Sequence, residues 1–158
     1  MDLHGIPLHP LVVHATVVFT PLAAVAALAF VLLGRWRELL RWPTALLAVI
    51  ATACCWAARI TGRNLFSKLT AQGFHNKWLD IHQQRANVLV WVVMAFAVLA
   101  VLATLVVPVA TTQAARLSAS PAVVLGVRVV VVGLAIATLV YVYLTGDAGA
   151  RSVWAPTS

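Results

Sequence analysis

The sequence predicts an all-α integral membrane protein, a four-helix bundle that forms a single transmembrane domain over residues 1–158. Hydrophobic residues make up 63% of the chain and charged residues only 9%, and both values lie far outside the range of soluble domains. The mean hydropathy of +0.98 agrees with lipid as the solvent. Four stretches approach or exceed the roughly 20 apolar residues that cross the hydrocarbon core of a bilayer. Because backbone groups in lipid must be bonded within the chain, these stretches are predicted to be helices.

The four predicted spans cover residues 11–33, 43–60, 79–109 and 122–144. Valine and isoleucine in the fourth span would favour a strand in water, but the lipid environment overrides that preference. The first ten residues contain no lysine or arginine, so they lack the basic start of a signal peptide. The first span is therefore expected to be retained as a membrane helix.

The connection between the second and third spans has an amphipathic pattern. Leu65, Phe66 and Leu69 fall on one helical face, and Arg63 is among the polar residues on the other side. This pattern predicts a short interfacial helix that lies on the membrane surface. The third span is predicted to begin early, near Trp78, before its continuous apolar run.

The net charge of +7 comes from basic residues that stand singly or in short groups beside the apolar runs. They form no basic stripe interleaved with stacking aromatic residues, so binding to nucleic acid is not expected. Nothing basic precedes the first span, whereas Arg35, Arg37 and Arg41 follow it closely. The charge asymmetry predicts that both termini lie outside, and the expected location is the plasma membrane. Basic residues in the middle connection oppose this orientation mildly.

Polar residues that carry chemistry collect at one end of the predicted bundle. All five histidines fall at the amino-terminal face, together with two acids and an arginine: His4, His9, His14, His75, His82, Asp80, Asp147 and Arg85. Ionisable groups at membrane depth are costly and tend to mark sites. For His4 and His75 an exposed loop position is the simpler interpretation. For His14 a ligand site and an ordinary hydrogen bond within the bundle remain equally open.

Two histidines of the first helix cannot form a site by themselves. His9 and His14 are five residues apart and point about 140° away from each other around a helix. A ligand site therefore needs a partner from another helix, and His82 near the start of the third span is available. Arg128, inside the fourth span, is expected to extend its side chain to the interface rather than to form a pair.

Cys54 and Cys55 are adjacent within an apolar run. Neighbouring helical residues point about 100° apart, so the two thiols are not expected to form a disulfide with each other. We interpret both as small packing residues.

Both ends of the chain resemble a known family. Residues 5–14, Gly-Ile-Pro-Leu-His-Pro-Leu-Val-Val-His, are similar to the opening signature of the bacterial family catalogued as domain of unknown function 2231. Its members are small four-span membrane proteins common in actinobacteria. Residues 145–154 resemble its closing pattern, a Gly-x-x-Gly-Ala turn followed by a basic residue and Val-Trp. The resemblance covers the whole chain, but only these two motifs are specific.

The resemblance implies electron transfer, because relatives can be fused to Rieske iron-sulfur or cytochrome-type domains. Two departures are visible: a single acid, Asp80, precedes His82, and Asp147 stands where relatives often have histidine. At the closing motif, Gly146 and Gly149 are predicted to let the chain turn tightly after the fourth helix. That turn would return Trp154 to the interface.

These observations favour a small membrane redox protein that binds a b-type haem near the outer face. Two imidazoles from different helices are needed as axial ligands, and His82 is the constant partner. His14 is preferred over His9 because the early start of the third helix matches the depth of His14 better. Arg59 and Arg85 are expected to meet the propionates.

Several alternatives remain open at this point. A structural or accessory subunit of a larger membrane complex, without a cofactor, would explain the small size equally well. Copper binding is less favoured because the only methionines are Met1 and Met94. No hydrolytic arrangement is recognisable, so an electron carrier or accessory protein is expected rather than an enzyme. The expected partners are the lipid bilayer and either other membrane redox proteins or a second copy of the chain.

Overall fold

The computed structural model of the chain describes residues 2–3, 6–109 and 120–155. His4, which carried one of the predictions above, lies outside the described residues. The structure confirms an all-α bundle. Its four long helices are α1 (Leu8–Leu32), α2 (Arg37–Ala71), α3 (Lys77–Val106) and α4 (Pro121–Trp154). A short antiparallel pair, β1 (Asp2–Leu3) and β2 (Ile6–Pro7), precedes α1, and a 3-10 turn at Gly34–Trp36 joins α1 to α2.

All four helices are long and apolar enough to cross a membrane. The predicted interfacial residues 61–71 are helical, but they form about three further turns of α2 rather than a separate helix. The reason is local: no proline interrupts the chain between Pro43 and Ala71, and Gly62 alone does not end a helix. Hydropathy falls in this stretch while helix formation continues.

The connection from α2 to α3 is short and well capped. Gly73 adopts a φ of +80°, which a residue without a side chain reaches at little cost. Asn76 then caps α3, because its side-chain oxygen accepts a hydrogen bond from the backbone N–H of Trp78 at 2.9 Å. The third helix therefore begins at Lys77, near the early start that the sequence predicted.

The fourth helix corrects one prediction. The tight turn expected at Gly146 and Gly149 does not form, because α4 continues through both glycines to Trp154. The reason is that the backbone N–H groups find their helical partners up to the end of the element, where Ala155 donates to the carbonyl of Arg151 at 3.0 Å.

Small side chains bring the helices together. Alanines such as Ala23, Ala27 and Ala100 are fully buried beside Phe30 and Phe96, while many leucines and valines face outward as expected for lipid contact. The helix α1 packs mainly on α2 and α3 packs mainly on α4, whereas α1 and α3 lie diagonally across the bundle. The bundle thus consists of two helix pairs with a seam between them.

Cys55 packs in the core, as predicted, and Cys54 is half-buried. Both are free thiols, and Cys55 is buried with its Sγ 3.5 Å from the hydroxyl of Thr20 on α1.

The antiparallel arrangement places the beginnings of α1 and α3 together with the ends of α2 and α4. We call this the histidine end, because it contains His9 and His82.

Arg128 behaves differently from the prediction. Its Nε donates to the backbone carbonyl of Val31 at 2.9 Å, so the side chain pairs with the last turn of α1 instead of only reaching for the interface. We call the opposite end of the bundle the arginine end, because it contains Arg37 and Arg128. At this end α1 and α3 end and α2 and α4 begin.

Candidate functional site

Two imidazole rings meet at the centre of the histidine end. His9 lies in the first turn of α1 and His82 lies in the second turn of α3, on the two diagonal helices. The ring centroids are 6.2 Å apart, and the ring planes make an angle of 72°. Both residues are half-buried. The pair therefore connects helices that otherwise hardly touch.

Hydrogen bonds fix the orientation of both rings. His82 Nδ1 is 2.8 Å from the backbone carbonyl of Thr145, and since a carbonyl only accepts, this nitrogen carries the proton. His9 Nδ1 is 3.3 Å from Thr61 Oγ1. The Thr61 hydroxyl itself donates to the carbonyl of Ala57 at 2.8 Å, so its oxygen accepts from His9. In the neutral form each ring keeps the Nε2 lone pair for another partner.

Two glycines make room for the rings. A Cβ at Gly62 on α2 would lie 2.8 Å from His9 Cε1, and one at Gly149 on α4 would lie 3.0 Å from His82 Nδ1. These approaches are closer than ordinary van der Waals contact. At Gly146, one turn earlier on α4, a Cβ would meet nothing within 4 Å. The two rings therefore pack directly against the backbone at Gly62 and at Gly149, one glycine in each helix pair.

The rings border a cavity of about 580 Å³ that is lined by all four helices. Its walls are mostly apolar, with side chains such as Phe66 and Val90. Among its described lining residues there is no carboxylate, although Arg59 faces it. Arg59 Nε donates to Asn87 Oδ1 at 3.1 Å, and its guanidinium lies 5.2 Å from the ring centroid of Trp56. The cavity thus combines apolar walls with positive charge.

The other predicted ligand residues lie apart from the ring pair. His14 is exposed at the cavity edge, and its Nδ1 bonds to the carbonyl of Pro10 in its own helix at 2.6 Å. Arg85 donates to the carbonyl of Leu144 at 2.8 Å and does not line the cavity. His75 is exposed in the loop before α3. The structure brings His9, rather than His14, against His82.

Side chains of the closing motif, residues 145–154, connect the end of α4 to the start of α3. Arg151 Nε lies 2.9 Å from both carboxylate oxygens of Asp147, and its guanidinium lies 4.8 Å from the ring centroid of Trp78. Asn76 Nδ2 donates to the carbonyl of Ser152 at 3.1 Å. Trp154 is 84% exposed at the last turn, which suits an interfacial anchor.

Sequence reasoning missed the role of the glycines. Gly149 was interpreted as part of a turn, and Gly62 was not singled out. At Gly62 a signal exists in the sequence, because the preceding residue, Thr61, carries the hydroxyl that accepts from His9. At Gly149 the ring bonds to the backbone carbonyl of Thr145, which a residue of any type supplies, so the sequence carries no such signal there.

Comparison with known families agrees with these observations. A family model described as "Predicted membrane protein (DUF2231)" matches residues 5–157. The chain belongs to the DUF2231 family. The DUF2231 match includes the opening motif with His9 and the closing motif with Gly149, so it covers both halves of the ring pair. No curated protein and no solved structure matches the chain.

Proposed function

We propose that this protein is a small membrane redox protein that holds a b-type haem between His9 and His82. The observation that carries the proposal is an edge-to-face pair of imidazoles on two different helices, each oriented by a hydrogen bond at Nδ1. Two metal–nitrogen bonds of about 2 Å each, together with the distance from each nitrogen to its ring centre, place two such rings roughly 6 Å apart. The separation of 6.2 Å fits one metal ion between the rings.

The number of protein ligands favours haem over a bare metal ion. Within the part of the chain that the structure describes, no group of three or more His, Cys, Asp or Glu side chains could hold a metal. A bare copper or zinc ion would need further ligands beyond two imidazoles. A porphyrin brings four nitrogens of its own and requires only two axial ligands from the protein.

The surroundings of the rings also suit this cofactor. The cavity volume of about 580 Å³ lies within the range of about 300–1,000 Å³ that is typical of ligand pockets. Arg59 lines the cavity without a carboxylate partner there, so it is available for a propionate. Arg85, which was expected to share this role, is bonded elsewhere.

The residues of the chain would then position the ligands and exclude water. Thr61 and the carbonyl of Thr145 hold the two Nδ1–H groups, which leaves the Nε2 atoms of His9 and His82 as the nitrogens that would bind the iron and would raise their basicity. The apolar walls keep the local polarity low. When bound, the haem supplies a one-electron iron couple whose potential depends on the axial ligands and the surrounding polarity. Electron donor and acceptor would be other membrane redox proteins.

Absorption spectroscopy tests the proposal. The protein is expressed with supplementary haem, purified in mild detergent, and measured oxidised and after dithionite reduction. We expect a Soret band and a reducible α-band that His9→Ala and His82→Ala abolish and that His14→Ala retains. His14 is the matched control because it lies on the same helix and lines the same cavity without touching His82.

A second variant separates ligation from folding. His9→Met should retain the haem and raise its reduction potential, because a thioether ligand raises the potential of haem iron. Loss of the bands in His14→Ala with retention in His9→Ala would contradict the proposed ligand pair. Colourless protein after haem supplementation would contradict the redox function and favour an accessory subunit without a cofactor.

A further inference from the structure

The arginine end contains a second arrangement of charged groups that the redox proposal does not use. Arg37 Nε and Nη2 lie 3.3 Å from the carbonyl of Phe30 and 3.4 Å from that of Val31, respectively, and both nitrogens donate. Arg128 Nε donates to the same Val31 carbonyl at 2.9 Å. Two arginines from α2 and α4 therefore converge on the last turn of α1.

The two guanidinium groups are close neighbours because they share one acceptor. Each guanidinium carries a positive charge. The carboxyl end of a helix offers only about half a negative charge, which does not balance two positive charges. The described residues at this end include four arginines, Arg35, Arg37, Arg41 and Arg128, against one carboxylate, Glu38. The end thus has an excess of positive charge at a fixed place.

Aromatic residues put this end at the level of the lipid headgroups. The guanidiniums of Arg35 and Arg41 each lie 5.4 Å from the ring centroid of the following tryptophan. Those tryptophans, Trp36 and Trp42, are 41% and 64% exposed. Exposed tryptophans beside basic residues are typical of the membrane–water interface. In a bilayer, this position would bring the arginine pair to the level of the lipid phosphates.

We propose that Arg37 and Arg128 form a binding site for the phosphate of an anionic phospholipid. Each guanidinium has five N–H donors, and the contacts above use two of them on Arg37 and one on Arg128. Phosphate oxygens accept such donors in paired geometry. Basic pockets between transmembrane helices recognise anionic headgroups in this way. The inference is independent of the haem proposal, since the site lies at the other end of the bundle.

Lipid binding to the purified full chain tests the site. The protein in neutral detergent is titrated with phosphatidylglycerol, with phosphatidylcholine as the neutral lipid, and both thermal unfolding and lipid adducts in native mass spectrometry are recorded. Phosphatidylglycerol should raise the unfolding temperature and remain bound, whereas phosphatidylcholine should do neither. Arg128→Gln should weaken phosphatidylglycerol binding by about tenfold, as expected for the loss of a charge-assisted hydrogen bond.

Matched variants make the test specific. Arg35→Gln removes a charge from the same end, but its side chain lies over Trp36 and not at the end of α1, so binding should be unchanged. Arg128→Lys keeps the charge and loses the paired donors, so it should bind almost as weakly as Arg128→Gln. Equal weakening by Arg35→Gln would overturn the site in favour of general attraction. Equal stabilisation by phosphatidylcholine would overturn the preference for an anionic lipid, and equal stabilisation by inorganic phosphate would overturn the lipid assignment.

Discussion

At the scale of single residues, the positions of the His9 and His82 rings depend on two glycines, which have no side chain to occupy the same space. Gly62 and Gly149 each leave space that an imidazole fills. The Thr61 hydroxyl holds the His9 ring there, and the backbone carbonyl of Thr145 holds the His82 ring. The ring is consequently fixed from two sides, by a hydrogen bond to Nδ1 and by backbone packing. Loss of either contact should move the Nε2 atom that would bind a ligand.

Gly62→Ala should destabilise the protein, because the new methyl carbon would stand 2.8 Å from His9 Cε1 and push the ring off its acceptor. Overpacking of this kind costs about 1–3 kcal/mol, and the better helix propensity of alanine offsets up to about 1 kcal/mol of that cost. Gly149→Ala makes a looser contact of 3.0 Å, so the two terms should nearly cancel and the free energy of unfolding should change little. Gly146→Ala, which meets nothing within 4 Å, should be neutral or stabilising by up to about 1 kcal/mol through helix propensity. Thermal unfolding in detergent measures all three.

A double variant decides whether the ring is the cause. In a His9→Ala background the methyl group of Gly62→Ala has nothing to displace, so the cost of Gly62→Ala should disappear. If Gly62→Ala is equally harmful with and without the imidazole, the glycine serves the helix backbone rather than the ring.

The sequence indicated which end of the bundle holds the histidines, but it did not indicate which of them lies next to His82. One-sided placement of the histidines followed from the order of the spans, and the structure places His82 beside His9 of the first helix. The choice between His9 and His14 depended on the relative depth of two diagonal helices. That depth is set by packing against α2 and α4, which hydropathy does not report. Arg85 was misplaced for the same reason, because its partner is a carbonyl of α4.

At the scale of helices, the sequence located four long apolar helices and underestimated the lengths of α2 and α4. Hydropathy falls where α2 and α4 pass into half-exposed, more polar turns, although the backbone remains helical to Ala71 and Trp154. Side-chain bonds across the histidine end hold these extensions in place. The end of α4 is bonded to the start of α3 through Asn76, Asp147 and Arg151.

Asn76 makes two hydrogen bonds where α3 and α4 meet, one within α3 and one with α4. It caps α3 through Trp78 N and binds the Ser152 carbonyl of α4. Asn76→Ala should therefore lower the free energy of unfolding by about 1–2 kcal/mol, the sum of a lost cap and a lost hydrogen bond. Asn64→Ala, an exposed position on the outer part of α2, should have little effect. Equal stability of the two variants in thermal unfolding would show that the α3–α4 connection does not depend on this side chain.

At the scale of the whole molecule, the two ends of the bundle have different chemistry. The histidine end holds the ring pair and the cavity, and the arginine end holds the guanidinium pair and exposed tryptophans. Both ends are basic, so total charge does not orient the bundle. The flanks of the first helix usually dominate orientation, and only its second flank, with Arg35, Arg37 and Arg41, is basic.

This asymmetry predicts that the arginine end faces the cytoplasm and that the histidine end, with both chain termini, faces outside. The cytoplasmic leaflet is rich in anionic lipids, so the same orientation brings the arginine pair to its proposed ligand. Reporter fusions that are active on only one side of the membrane check it, placed after Trp36, within the α2–α3 loop at Gly73 and at the carboxyl terminus. The first fusion should report the cytoplasm, and the other two should report the outside. A cytoplasmic carboxyl terminus together with a cytoplasmic Gly73 fusion would invert the bundle, because both positions lie at the histidine end.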